Sequence, residues 1–380
     1  MIYLDHHATT PVDARVLEAM LPYFSEKFGN PASKHHRFGW EANDAVEQAR
    51  KQVAALIGAG SKDVIFTSGG TEANNLAIKG AAKARGEDRN QLVTVTTEHK
   101  AVLDPMARLG KSGFRVLPIP VDAAGRIELN VLERVVTERT ALVSVMAANN
   151  EIGVLQPIKE AAAIAHRHGA WFHTDAVQAA GRVPFNVDEL DVDLATISAH
   201  KIYGPKGIGA LYVRRKRVAI EAQIDGGGHE RGLRSGTLNV PAIVGFGRAA
   251  EIARAEMESE AKRVGALRDR LLAGLRSRID RITVNGAMDQ RLPGNLNVSF
   301  AGVDGEALLV SLDDIAVSSG AACTQAEPSH VLLALGMKTD QALASLRFGI
   351  GRATTAEEVD YAAEKVARVV ARLRQLSPVA

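Results

Sequence analysis

Three residues stand where a side chain could do covalent chemistry. In Ser198-Ala-His-Lys-Ile-Tyr-Gly-Pro-Lys-Gly207, Lys201 lies between an apolar run and a Gly/Pro turn. Leu194 to Ala199 reads as a short buried strand, so the lysine falls at a strand end, where open α/β sheets keep their ligands. An amine held there can condense with a carbonyl, and the usual partner is the aldehyde of pyridoxal phosphate. A solvated loop lysine is the ordinary alternative for Lys201 taken alone. Upstream, Trp171-Phe-His-Thr-Asp-Ala-Val-Gln178 ends a second strand at Asp175. A pyridoxal ring needs a carboxylate to keep its nitrogen protonated, because the pyridinium stores electrons; lysine and acid together are therefore far more specific than either. The third residue is Cys323, the only cysteine. Its surroundings, Ser318 to Ser329, are small, polar and turn-forming, which favours a nucleophile over an inert packed thiol.

The elements around these residues must bring them together. Val64-Ile-Phe-Thr-Ser-Gly-Gly-Thr-Glu-Ala-Asn-Asn75 reads as strand, glycines, then helix to about Arg85. The free N–H groups and dipole of such a helix start make a phosphate seat at Gly70 and Thr71, with a plain turn capped by Thr71 as the alternative. Gln91 to Thr97 is a strand running into Glu98-His99, where the imidazole could stack on a flat ring. Strands at 114–120 and 141–148 follow, the second ending in Asn149. Repeated strand and helix imply a largely parallel sheet. Its strand ends then collect Thr71, His99, Asn149, Asp175 and Lys201 along one edge.

The remaining segments frame that sheet. His6 and His7 are adjacent in an extended opening, so they face opposite ways; this argues against a paired metal site and leaves one free to face a cleft. Asp13 can cap a helix to about Phe28, and helical spacing returns from Arg37 to Ile57. The glycine-rich Gly226-to-Thr237 loop is mobile unless something holds it, so a role at a subunit contact competes with that of a mere linker. Val240 to Arg278 reads as a long amphipathic helix with a break, crossing into a second domain with strands near 282–284, 295–300, 315–317 and 346–350 and a last helix from about Ala356 to Leu376.

A chain of 380 residues is long enough for two domains. The formal net charge of +2 is dispersed, so no basic stripe proposes nucleic acid. There is no signal-like opening and no run of apolar residues long enough to span a bilayer, which points to a soluble cytoplasmic protein. A single cysteine excludes an internal disulfide and a multi-cysteine metal site within one chain.

With these residues placed, the sequence resembles the cysteine desulfurases. The motifs are Leu4-Asp-x-x-Ala-Thr-Thr-Pro11, Gly29-Asn-Pro-Ala-Ser33, Thr67-Ser-Gly-Gly-Thr-Glu72, Thr97-Glu-His-Lys100, Asn149-Asn-Glu-Ile-Gly153, His200-Lys-Ile-Tyr-Gly-Pro-Lys-Gly207, Arg234-Ser-Gly-Thr237 and Ser318-Ser-Gly-Ala-Ala-Cys323. They cover essentially the whole chain in one order. The resemblance implies an α/β, aspartate-aminotransferase-like fold (pyridoxal-phosphate fold type I), with a large mainly parallel-sheet domain at 13–255. A smaller α+β domain at 1–12 and 256–380 would carry the cysteine loop.

The resemblance also implies roles. Lys201 would carry pyridoxal phosphate and shuttle the proton, Asp175 would pair with the ring nitrogen, Gln178 with the phenolic oxygen, and His99 would stack on the ring. Gly70, Thr71, Ser198 and His200 would hold the phosphate, with Thr237 supplied by the second subunit of a homodimer. Arg347 would take the carboxylate of L-cysteine, assisted by Asn149, which also borders the cofactor. Cys323 would attack the substrate sulfur, giving a persulfide and alanine. A sulfur-acceptor protein such as an iron–sulfur scaffold would follow. No metal ligands are implied beyond an iron–sulfur contact through Cys323. Relative to the iron–sulfur-assembly members, the stretch between Cys323 and Glu327 is slightly shorter and Ala321 stands where serine is usual, changes that bear on sulfur hand-off. Alternatives are an aminotransferase or selenocysteine lyase of the same fold, and a non-catalytic sulfur carrier.

Overall fold

The computed structural model describes residues 1–319 and 327–376. Its centre is a seven-stranded sheet in the order Val64–Thr67, Gly209–Val213, Leu194–Ser198, Trp171–Asp175, Thr140–Ser144, Gln91–Val95 and Arg115–Ile119. Every neighbouring pair is parallel except those made by Gly209–Val213, which runs antiparallel to both its neighbours. The expectation of a largely parallel sheet holds. Side chains alternate across it, as a two-residue period requires. Phe66, Val93, Val143, Phe172, Ala195, Ile197 and Tyr212 enter one core. Ile65, Leu92, Leu142, Trp171, Leu194 and Leu211 enter another with the helix Gly70–Arg85. Both faces are covered, which is why these strands read as nearly continuous apolar runs.

A separate core gathers Leu4, Leu271, Leu275, Leu296, Val298, Phe300, Leu346, Phe348 and Val366. It lies on a three-stranded antiparallel sheet ordered Ser345–Gly349, Asn295–Phe300 and Ile282–Val284. The strand Ile2–Tyr3 pairs in parallel with Ile315–Ala316, bringing the chain's beginning to this second body.

Two helical expectations are corrected. Val240–Arg276 is one helix without the expected break. Its only proline, Pro241, sits in the first turn, where a missing N–H costs nothing. Its buried residues to Ala253 enter the large-sheet core and those from Val264 enter the second core. The helix expected from Asp13 to Phe28 is instead Ala14–Met20 followed by the short Pro22–Ser25. Asp13 does cap the first, accepting from the Arg15 N–H at 2.9 Å, and Pro22 divides the two.

Candidate active site

The parallel strands end on one edge, and the turns that follow them wall a cavity of about 310 Å³. Gly70 and Thr71 follow Val64–Thr67, His99 follows Gln91–Val95, and Met146 and Asn150 follow Thr140–Ser144. Asp175 and Gln178 come from the end of Trp171–Asp175, and Ser198, His200 and Lys201 from the end of Leu194–Ser198. His7, Ala8 and Arg347 close the wall from the second body. Ligands collect at such strand ends because the turns there are free of the sheet's ladder.

Lys201 sits in a single 3-10 turn, Ala199–Lys201, directly after its strand. Its Nζ donates to the carbonyls of His7 at 2.6 Å and Ala8 at 2.7 Å. Burial pushes its pKa down to about 7, and the guanidinium groups of Arg182 and Arg347 push the same way against Asp175 and Asp5. Arg182 also clamps the backbone under this lysine. It donates to the Lys201 carbonyl at 2.9 Å and the His6 carbonyl at 2.7 Å.

Asp175 is held from both sides. The Asn74 amide donates to one carboxylate oxygen at 2.7 Å, and the Val177 N–H donates to the other at 3.0 Å. Gln178 is buried and donates through Nε2 to the His7 carbonyl at 2.9 Å. His99 caps the helix Lys100–Gly110, its Nδ1 accepting from the Ala101 N–H at 3.1 Å. Desolvation lowers the pKa of this imidazole, opposed by Asp175 and reinforced by Lys201. His200 contacts the Thr9 hydroxyl through Nδ1 at 3.1 Å, and burial pushes its pKa down to about 4.

The residues present fit a phosphorylated, cationic-ring cofactor. The helix Gly70–Arg85 opens at the cavity with no side-chain cap on its first N–H groups, an arrangement suited to a dianion. Gly209 lets that turn approach the sheet, since a Cβ there would stand 2.7 Å from the Gly69 carbonyl carbon. His7 carries a second open group. Arg182 donates to its Nδ1 at 2.6 Å, so the ring is neutral with its proton on Nε2, and that buried Nε2 has no hydrogen-bond partner among the described residues. Because Nδ1 is already taken as an acceptor, the 3.2 Å approach of Gln178 Oε1 to it is not a hydrogen bond.

Not every expected residue reaches the wall. Asn149 is fully buried in its own turn, donating to the Thr97 carbonyl at 2.9 Å and accepting from the N–H groups of Glu151 and Ile152. The structure therefore corrects its placement: Asn149 shapes the turn, and Asn150 lines the cavity. Two adjacent asparagines are indistinguishable without the turn geometry. Thr237 is exposed and outside this cavity. The glycine-rich loop before it is fastened by Glu230, whose carboxylate takes both terminal nitrogens of buried Arg50, at 2.7 and 2.8 Å, and the Phe66 N–H. Cys323 lies outside the described residues. Asp5, Asn74 and Arg182 join the site without a role expected from the sequence, whereas His7 is the member of the adjacent histidine pair that faces the cleft. Asn74 lies one helical turn beyond Thr71 and Arg182 four residues beyond Gln178, which is the only signal they carried.

A mainly parallel sheet with a buried, weakly basic lysine and a clamped aspartate at its strand-end edge defines the class of pyridoxal-type α/β enzymes. The chain belongs to the class-V aminotransferase family, whose model matches residues 2–362. It is 59% identical over 380 residues to a protein named cysteine desulfurase IscS from Anaeromyxobacter sp. (strain Fw109-5), covering 99% of this chain and 94% of that one. A solved structure titled NifS-like protein superposes with a TM-score of 0.92 at 41% identity, covering 98% of this chain and all of that chain (100%). Another, titled SspA in complex with cysteine, gives a TM-score of 0.83 at 36% identity over 92% of this chain and 99% of that one.

Proposed function

We propose that this cysteine desulfurase works with pyridoxal phosphate in the cavity around Lys201 and passes sulfur through Cys323. The observation that carries the reading is the convergence of Lys201, Asp175, Gln178 and Arg347 on one cavity. When bound, the cofactor supplies an electron sink for a carbanion at the substrate α-carbon. Gly70, Thr71, Ser198 and His200 hold its phosphate, Asp175 its ring nitrogen and Gln178 its phenolic oxygen, with His99 against the ring.

Arg347 binds the carboxylate of L-cysteine, and Lys201 Nζ removes the α-proton. A pKa of about 7 makes that amine a base at neutral pH, where an ordinary lysine is charged. The Cys323 thiolate attacks the substrate sulfur; the carbon–sulfur bond breaks, its electron pair remains with carbon, and protonation there yields alanine. Cys323 keeps the sulfur as a persulfide for an acceptor protein, such as an iron–sulfur scaffold.

A homodimer in which Thr237 reaches the neighbouring phosphate site accords with an exposed apolar surface. Leu21, Phe24, Phe28 and Trp40 are all more than half exposed, at 55–64%. The assignment of 13–255 to a large domain and the rest to a small one accords with the two cores that divide the helix Val240–Arg276. No helix among the described residues is long and apolar enough to cross a membrane, and a cytoplasmic location is part of the proposal.

The test is to give the enzyme L-cysteine without reductant and to map modified residues by mass spectrometry. A persulfide on Cys323 with matching alanine is expected. Cys323→Ser should retain the cofactor spectrum and still bind L-cysteine but form no persulfide, because a neutral hydroxyl is a poor nucleophile toward sulfur. An unmodified Cys323 in wild-type enzyme that is producing alanine would refute its role.

A further inference from the structure

Arg347 is the largest of the fully buried side chains, only 2% exposed, although its residue lines the cavity. A guanidinium in that position needs a fixed partner, and the chain's first residues provide it. Asp5 Oδ1 accepts from Arg347 Nη2 at 2.7 Å, while Nη1 donates to the Asn150 carbonyl at 3.0 Å. Nε is buried with no hydrogen-bond partner among the described residues.

The backbone builds this pair deliberately close. Asp5 bridges in parallel to Gly349, two residues beyond Arg347 on the same strand, and the Gly349 N–H donates to the Leu4 carbonyl at 2.6 Å. A Cβ on Gly349 would stand 2.8 Å from the N–H nitrogens of both His6 and His7, so only glycine admits the segment there. The same segment receives the Lys201 amine on its His7 and Ala8 carbonyls. Within one short stretch, Asp5 thus holds the carboxylate-binding arginine while His7 and Ala8 receive the base.

We propose that Asp5 is a specificity-determining positioning residue, which fixes the plane and direction of the Arg347 guanidinium so that it selects amino acids bearing an α-carboxylate. The proposal rests on the reading of Arg347 as the carboxylate site. Planar two-pronged recognition depends on orientation, and a guanidinium with one nitrogen anchored to Asp5 and another to a carbonyl cannot turn away. Asp5 acts through Arg347, since Arg347 lines the cavity and Asp5 does not.

The experiment titrates the holoenzyme with L-alanine and with ethylamine, which differ only in the carboxylate, and reads the cofactor absorbance. In Asp5→Ala the dissociation constant for L-alanine should rise about tenfold, the scale of one charge-assisted hydrogen bond, while that for ethylamine stays within about twofold. Asp5→Asn should recover most of the preference, because its amide oxygen still accepts from Nη2. Asp5→Glu, which keeps the charge but moves the carboxylate by a methylene, should lose it. Thermal unfolding of each variant identifies any that fail to fold, and Asp5→Glu then carries the test. An unchanged alanine-to-ethylamine ratio in folded Asp5→Ala or Asp5→Glu, or a tighter hold on alanine, overturns the proposal. Arg347→Ala separates the two levels. If it abolishes the preference while Asp5→Ala keeps it, only the role of Asp5 falls; if it too leaves the ratio unchanged, the reading of Arg347 falls first.

Discussion

The basicity of Lys201 can be tested before any turnover occurs. An ordinary lysine titrates at 10.5, so at pH 7 about one molecule in three thousand carries the neutral amine that condenses with an aldehyde. With its pKa pushed down to about 7, Lys201 is neutral in about half of the molecules, a gain of more than a thousandfold in reactive amine. Apoenzyme mixed with pyridoxal phosphate should therefore capture the cofactor at a rate that climbs about tenfold per pH step below 7 and levels off above it. Dividing each rate by that of a blocked free lysine at the same pH cancels the cofactor's own titrations. Relative to that reference, Lys201 should hold its greatest advantage below pH 7 and lose it steadily toward pH 10. Two variants give the sign independently. Arg182→Met removes a cation and should move the midpoint up, whereas Asp175→Asn removes an anion that favours the charged amine and should move it down. A ratio that stays flat from pH 6 to pH 10 would mean that Lys201 titrates like a solvated lysine and that the cavity does not desolvate it.

Two further outcomes follow from buried carboxyl groups. Burial raises the Glu151 pKa to about 7, so its native form prefers the proton: the stability it contributes is full below the unfolded value near 4.5 and lost as pH rises through 7. Glu151→Gln, which can still accept from Ser329, should match wild type at pH 5 and exceed its melting temperature by about 2 °C or more at pH 8.5; equal melting at both pH values would contradict this. Glu230→Ala should destabilise the protein by roughly 3 kcal/mol in denaturant titration, because it leaves buried Arg50 with only the half-exposed Glu47 carboxylate and takes the acceptor from the buried Phe66 N–H. The same change should expose the loop at Arg231 and Arg234 to trypsin, and unaltered cleavage there would show that the pair does not order it.

Much of the site was legible because covalent chemistry demands particular residue types at strand ends, and strand ends can be read from apolar runs punctuated by glycine and proline. Lys201, Asp175 and the Gly70–Thr71 turn sit at such strand ends, Gln178 entered only through the family resemblance, and the structure brings all of them to one edge. The alternating cores across the large sheet follow from the same local pattern. What the sequence could not determine depends on contacts between segments far apart in the chain. Asn149 and Asn150 differ only in which side chain the turn consumes. Asp5 and Arg347 are paired across 342 positions, and Arg182 joins His6, His7 and Lys201 through carbonyls and a ring that no spacing rule relates. Local propensity fixes where a residue lies along an element. The direction of a buried charge is set by where its counter-ion and hydrogen-bond partners can reach it, and that is decided only when distant segments pack together.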